Sequence, residues 1–114
     1  MASVVYLVKD LLFTSKIREA ASHVGVEVTS ARDAAALVTA AREARLVLID
    51  LRLPEALDAL AQLAADPVAA GVASVGFIDH ERTDVMDTAR AHGCATVMAK
   101  GQFASALPGL LERL

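Results

Sequence analysis

The segment LVLIDLRLP, residues 46–54, decides how the chain is read. Leu46, Val47, Leu48 and Ile49 form an unbroken apolar run, Asp50 follows at once, and Pro54 turns the chain. An apolar run without alternation is what a parallel strand needs when helices cover both its faces. Such a strand delivers Asp50 to its carboxyl end, and the question is what meets the carboxylate there.

Similar runs recur on either side. VVYLV (4–8), VEVTS (26–30), VASVGFI (72–78) and ATVMA (95–99) read as further strands, separated by stretches of helical period. Phe13, Ile17, Ala20, Ala21 and Val24 stripe the first helix, which Gly25 ends. Ser30 is expected to cap the second, with Asp33 completing a weak capping box ahead of Ala34, Leu37, Val38 and Ala41. Leu57, Leu60, Leu63 and Ala64 stripe the third, closed by DPVAAG (66–71), and Val85, Met86 and Ala89 the fourth, closed by His92-Gly93. Phe103, Leu107, Leu110, Leu111 and Leu114 stripe the last. Pro108 falls inside that stripe, and because proline is best tolerated in a first turn, a short helix capped by Ser105 is expected. Right-handed crossovers lay five such strand–helix units into one α/β domain over residues 1–114, a flavodoxin-like doubly wound parallel sheet of order 2-1-3-4-5.

Composition bounds the function. The 114 residues are 55% apolar, much of it alanine, and no run approaches the ~20 residues of a membrane span. Lys9 and Asp10 interrupt the apolar start, unlike a signal peptide. Cys94 is the single cysteine, so no internal disulfide forms and a reducing cytoplasm is expected. Net charge is −3 with scattered basic residues, which leaves no footprint for nucleic acid. His23, His80 and His92 lack metal-ligand spacing, and no glycine-rich loop follows the first strand.

In a doubly wound sheet, ligands bind outside the carboxyl ends of the strands. Those ends carry Lys9-Asp10, Ser30, Asp50, Asp79-His80 and Lys100, so Asp10, Asp50, Asp79 and Lys100 are expected at one rim. Two carboxylates ~4 Å apart repel by about 4 kcal/mol at an effective dielectric of ~20, so a lysine or a metal has to compensate. Mg2+ suits such a place, since it takes oxygen ligands and keeps its waters. An aspartate held there is a candidate phosphoryl acceptor through an acyl phosphate.

From VVYLVKD through LVLIDLRLP to ATVMAKGQF, the whole chain resembles the receiver domain of bacterial response regulators. The resemblance implies Asp50 as phosphoacceptor, and Mg2+ held by Asp10, Asp50 and the backbone carbonyl of Arg52. It also implies Lys100 in contact with the phosphoryl oxygens. It departs from the family at several points. Lys9 replaces the first acid of the acidic pair, GFIDHE offers Ile78 or Asp79 where a small hydroxyl residue is usual, and Val97 replaces the aromatic switch residue. The loop after Pro54 is shortened, and Gly101 follows Lys100 in place of proline.

Two functions follow. One is a stand-alone receiver, not an enzyme, that takes a phosphoryl group from a histidine kinase or phosphotransfer protein and acts through a separate output protein. The other is a phosphorylation-independent interaction module of the same architecture, with the Lys9 ammonium lying across Asp50 in place of a metal. Exposed helix faces could support a homodimer. Local alternatives stay open. Asp50 could be a turn carboxylate bonded to nearby amides, Asp10 could be neutralised by Lys9 or Lys100, and Asp79 could cap the fourth helix. Cys94 is expected to be a small buried filler.

Overall fold

The computed structural model describes residues 2–114. Five strands, β1 (Val4–Leu7), β2 (Val28–Ser30), β3 (Leu46–Asp50), β4 (Ala73–Ile78) and β5 (Thr96–Ala99), alternate with five helices. These are α1 (Leu11–Val24), α2 (Ala34–Ala41), α3 (Ala56–Ala65), α4 (Thr83–Ala91) and α5 (Lys100–Glu112). All strand pairs are parallel, and the order is β2-β1-β3-β4-β5, as the strand–helix alternation predicts.

The central strands β1 and β3 are buried along their whole length. Alternate residues of β1 feed two separate cores. Val5 and Leu7 join Leu37, Leu60 and Ile49 beneath α2 and α3. Val4 and Tyr6 join Phe13, Ile17, Phe77, Phe103 and Leu107 beneath α1 and α5. The first core is rich in alanine and aliphatic side chains; the second holds all three phenylalanines.

Helix ends follow short-range chemistry, with two surprises. Gly25 ends α1 with φ 70°, and its N–H donates to the Ala21 carbonyl. The cap of α2 is Asp33, not Ser30: its Oδ1 accepts the Ala36 N–H at 2.8 Å. A carboxylate takes the position closer to the first apolar residue, while Ser30 is the last residue of β2. Helix α5 starts at Lys100, directly after β5, so it is neither short nor capped by Ser105, and Pro108 lies in its interior. An interior proline costs about 3 kcal/mol. Burial of Phe103, Leu107 and Leu111 offsets it, each contributing roughly 1.5–3 kcal/mol.

Candidate functional site

The rim is assembled by what ends each strand. Asp50 is the last residue of β3, paired in register with Phe77 of β4. The chain turns there: the Leu53 N–H donates to the Asp50 carbonyl at 3.2 Å, and the Arg52 N–H donates to Asp50 Oδ1 at 2.9 Å. The local reading of Asp50, a carboxylate bonded to the amide two residues on, is therefore present. The same turn folds the Arg52 side chain back over the carboxylate.

Arg52 grips Asp50 with both ends of its fork. Nε–H donates to Oδ1 at 2.9 Å and Nη2–H donates to Oδ2 at 2.7 Å. Nη2 also reaches Asp10 Oδ2 at 3.3 Å, so one guanidinium joins two carboxylates. Below it lie aromatic faces, with the guanidinium carbon 5.5 Å from the Phe13 ring centre and 5.9 Å from that of Phe77. The Asp50 side chain is 3% exposed and that of Arg52 30% exposed, so the carboxylate lies beneath its counter-ion. Bonding to Asp50 raises the Arg52 pKa above the ordinary arginine value.

Asp10 has a second duty, absent from the sequence reading. Its Oδ1 accepts the Phe13 N–H at 3.1 Å and caps α1. That amide bond is the main cause holding its carboxyl below the usual range, with Arg52 adding to it. The signal was legible, since Asp10 directly precedes the apolar LLF of α1. Arg52 entered the sequence reading only through its carbonyl, yet its side chain is the central cation of the site.

Lys9 and Lys100 pair with other carboxylates. Lys100 Nζ lies 2.8 Å from Asp79 Oδ1, and this contact is the main cause lowering the Asp79 pKa. Asp79 and Lys100 directly follow Ile78 and Ala99, which pair in register at the ends of β4 and β5. Strand β4 is the neighbour of β3, which ends in Asp50, so the pair stands beside the Asp10–Arg52–Asp50 group. Asp79 is not a helix cap: α4 begins at Thr83, three residues of turn further on, and Asp79 is free to pair with Lys100. Lys9 does not lie across Asp50. Its Nζ reaches Glu55 Oε2 at 2.8 Å, in the loop before α3, and Arg52 holds the place assigned to Lys9.

Set against solved structures, this frame is familiar. The receiver domain of a sensor histidine kinase from Pseudomonas aeruginosa, solved with magnesium coordinated in its active-site cleft, superposes with a TM-score of 0.79 at 19% identity, covering 98% of this chain and 95% of that one. A response regulator receiver domain from Rhodospirillum rubrum gives 0.75 at 22% identity over 96% of this chain and 91% of that one. A response regulator from Hahella chejuensis gives 0.80 at 15%, over 97% and 92%. The chain has the receiver fold. No family profile and no curated protein sequence matches it.

Two of the positions at which the chain departs from the receiver pattern, Ile78 and Val97, are apolar. Ile78 is buried in the core beneath α2 and α3, and Val97 packs against the same core. Cys94 is buried there too, its thiol donating to the Thr96 carbonyl, and burial pushes its pKa up.

The donor set can be tested against a divalent ion. Among the described residues, no group of three or more His, Cys, Asp or Glu side chains is placed to hold a metal. Two carboxylates do converge, since Asp10 Oδ2 and Asp50 Oδ2 bind one nitrogen. Hard oxygen donors arranged to share a cation suit Mg2+, which uses one or two carboxylates and keeps its waters. The residues fit, on the condition that the Arg52 guanidinium leaves the space between them.

Proposed function

We propose that this chain is a signalling receiver, not an enzyme, and that Asp50 is its phosphoacceptor. The observation that carries the reading is the convergence of the Asp10 and Asp50 carboxylates on one cation at the carboxyl end of β3. A second positive group, Lys100, stands at the same rim on Asp79. Asp50 is the natural nucleophile: it ends a fully buried strand, and its Oδ2 is bonded only to a movable side chain.

In this scheme a histidine kinase or phosphotransfer protein brings a phosphohistidine to the rim. An Asp50 oxygen bonds to phosphorus, the phosphorus–nitrogen bond breaks, and the imidazole leaves with the electron pair and takes a proton. The product is an aspartyl phosphate. Asp10, Asp50 and the Arg52 carbonyl would hold Mg2+, which when bound offsets the charge of the phosphoryl oxygens. Lys100 exchanges Asp79 for those oxygens, releasing Asp79 and altering the start of α5. Output passes to a separate protein, or through a homodimer, across the α4–β5–α5 surface, and the setting is the cytoplasm.

The test is a small acyl-phosphate donor with Mg2+, read by intact mass. The expected result is one added phosphoryl group on the wild type and none on Asp50→Asn. Absence of any phosphorylated species, with such donors and with the cognate kinase alike, defeats the proposal.

The second reading is a phosphorylation-independent interaction module, and Arg52 is what favours it. Asp50 already has an internal counter-ion, and Ile78 and Val97 supply neither a hydroxyl nor an aromatic readout. On this reading Asp50→Asn leaves partner binding intact, and capture that requires the phosphorylated form counts against it.

A further inference from the structure

We infer that the Arg52 guanidinium is a resident counter-ion that competes with divalent metal for the Asp10–Asp50 site, so that binding Mg2+ requires Arg52 to swing out. This deepens the proposed function and rests on its assignment of the rim as the site.

Three independent restraints place the guanidinium where a metal would have to sit. It is bidentate to Asp50, at 2.9 and 2.7 Å, the geometry in which an arginine–carboxylate pair is strongest. Its Nη2 bridges to Asp10 at 3.3 Å. Its face rests near the Phe13 and Phe77 rings. Phe77 is fully buried and Phe13 nearly so, which gives the fork a rigid floor. Neither neighbouring lysine contributes, because Lys9 is held by Glu55 and Lys100 by Asp79.

The link from residue 52 to Asp50 is also local. The Arg52 N–H bonds Asp50 Oδ1 through the turn itself, so the backbone at residue 52 stays in place when the side chain leaves. The exchange is then one side chain for one ion. Both carboxylates keep a cation in either state, and the backbone is not rebuilt. The guanidinium is partly exposed, which gives it a route to solvent.

The experiment is a Mg2+ titration of the full chain at constant ionic strength, without phosphoryl donor, followed by the backbone NMR shifts of residues 50–53. Arg52→Met keeps an unbranched stem over the rings and removes the charge. It is expected to bind Mg2+ on the order of tenfold tighter than the wild type, the equivalent of losing one charged hydrogen bond. Asp50→Asn added to Arg52→Met is expected to abolish that gain.

A wild-type measurement guards against a variant that folds poorly. The Arg52 Nε–H resonance should shift with the same midpoint as the Leu51 and Arg52 amides. Equal or weaker Mg2+ binding by Arg52→Met, or an Arg52 Nε–H signal unmoved while metal saturates the wild type, overturns the inference. Acyl-phosphate labelling of the same samples separates the two claims. Tight Mg2+ binding by Arg52→Met with no phosphoryl added defeats the phosphoacceptor reading and leaves the counter-ion standing. Labelling of Asp50 with unchanged Mg2+ affinity does the reverse.

Discussion

Asp50→Asn carries a sign that depends on what neutralises the rim. Were Asp10 and Asp50 facing each other uncompensated, removing one charge would relieve repulsion and stabilise the protein. With Arg52 between them, the same change removes an attraction. The carbonyl oxygen of the introduced amide can keep the two bonds that Oδ1 accepts, from the Arg52 backbone N–H and from Nε–H. The bond lost is the shortest of the three, Nη2–H to Oδ2 at 2.7 Å, where an amide NH2 would face another donor. The charge pair, at ~4 Å between centres and an effective dielectric of ~20, is worth about 4 kcal/mol before screening. The exposed edge of Arg52 and its second partner, Asp10, let it recover part of that. Net destabilisation of roughly 2–3 kcal/mol is the expected outcome, in the range of a lost charged hydrogen bond. Urea unfolding followed by far-UV circular dichroism, with no divalent metal present, measures it directly. An Asp50→Asn variant more stable than the wild type would mean that Arg52 does not hold this position in solution, and the counter-ion argument would go with it.

Two further tests address the frame around the site. Ser74 is buried, and its Oγ accepts the Ala95 N–H at 2.9 Å, so Ser74→Ala strands a buried donor where β5 begins. A loss of about 1–3 kcal/mol in urea unfolding is expected, and a neutral result would refute the bond's role. Asp66 accepts from Arg42 Nη2 at 2.7 Å and from the Val68 and Ala69 amides, and chiefly the Arg42 bond holds its pKa down from 3.8 to about 2. A carboxylate depressed in the folded state adds stability above its unfolded pKa and loses it as pH falls through its folded one. The urea midpoint should therefore drop between about pH 4 and pH 2 in the wild type, and drop less in Asp66→Asn; parallel profiles would show that Asp66 is not the group responsible.

What the sequence disclosed was whatever depends on pattern. An apolar run without alternation places Leu46–Ile49 in a central strand, and the strand–helix order then fixes which strand ends share a rim. It also told correctly that Asp10 and Asp50 approach one another. Hidden was how the charges pair once there. The partner of Asp50 is a side chain two residues away, brought back by a turn whose hydrogen bonds leave no periodic trace. Lys9 and Lys100 were the visible candidates for the cation, yet each has a nearer carboxylate, Glu55 and Asp79, that only the folded loops bring into range. Pro108 misled for a similar reason. Local propensity argues against it inside a helix, while the energy that keeps α5 continuous comes from Phe103, Leu107 and Leu111, packed in the core beneath α1 and α5.

That proline has a mechanical consequence. Lacking an N–H, Pro108 cannot donate to the Ala104 carbonyl one turn back, and both residues border a cleft between α1 and α5. A rod with one missing rung bends there in preference to any other point. The leading half of α5 begins at Lys100 and is seated by Phe103, which stacks on Phe77 at 4.3 Å; the trailing half is seated by Leu111. A tilt begun at Lys100 would thus be taken up at this joint and leave the last turn of α5 in place.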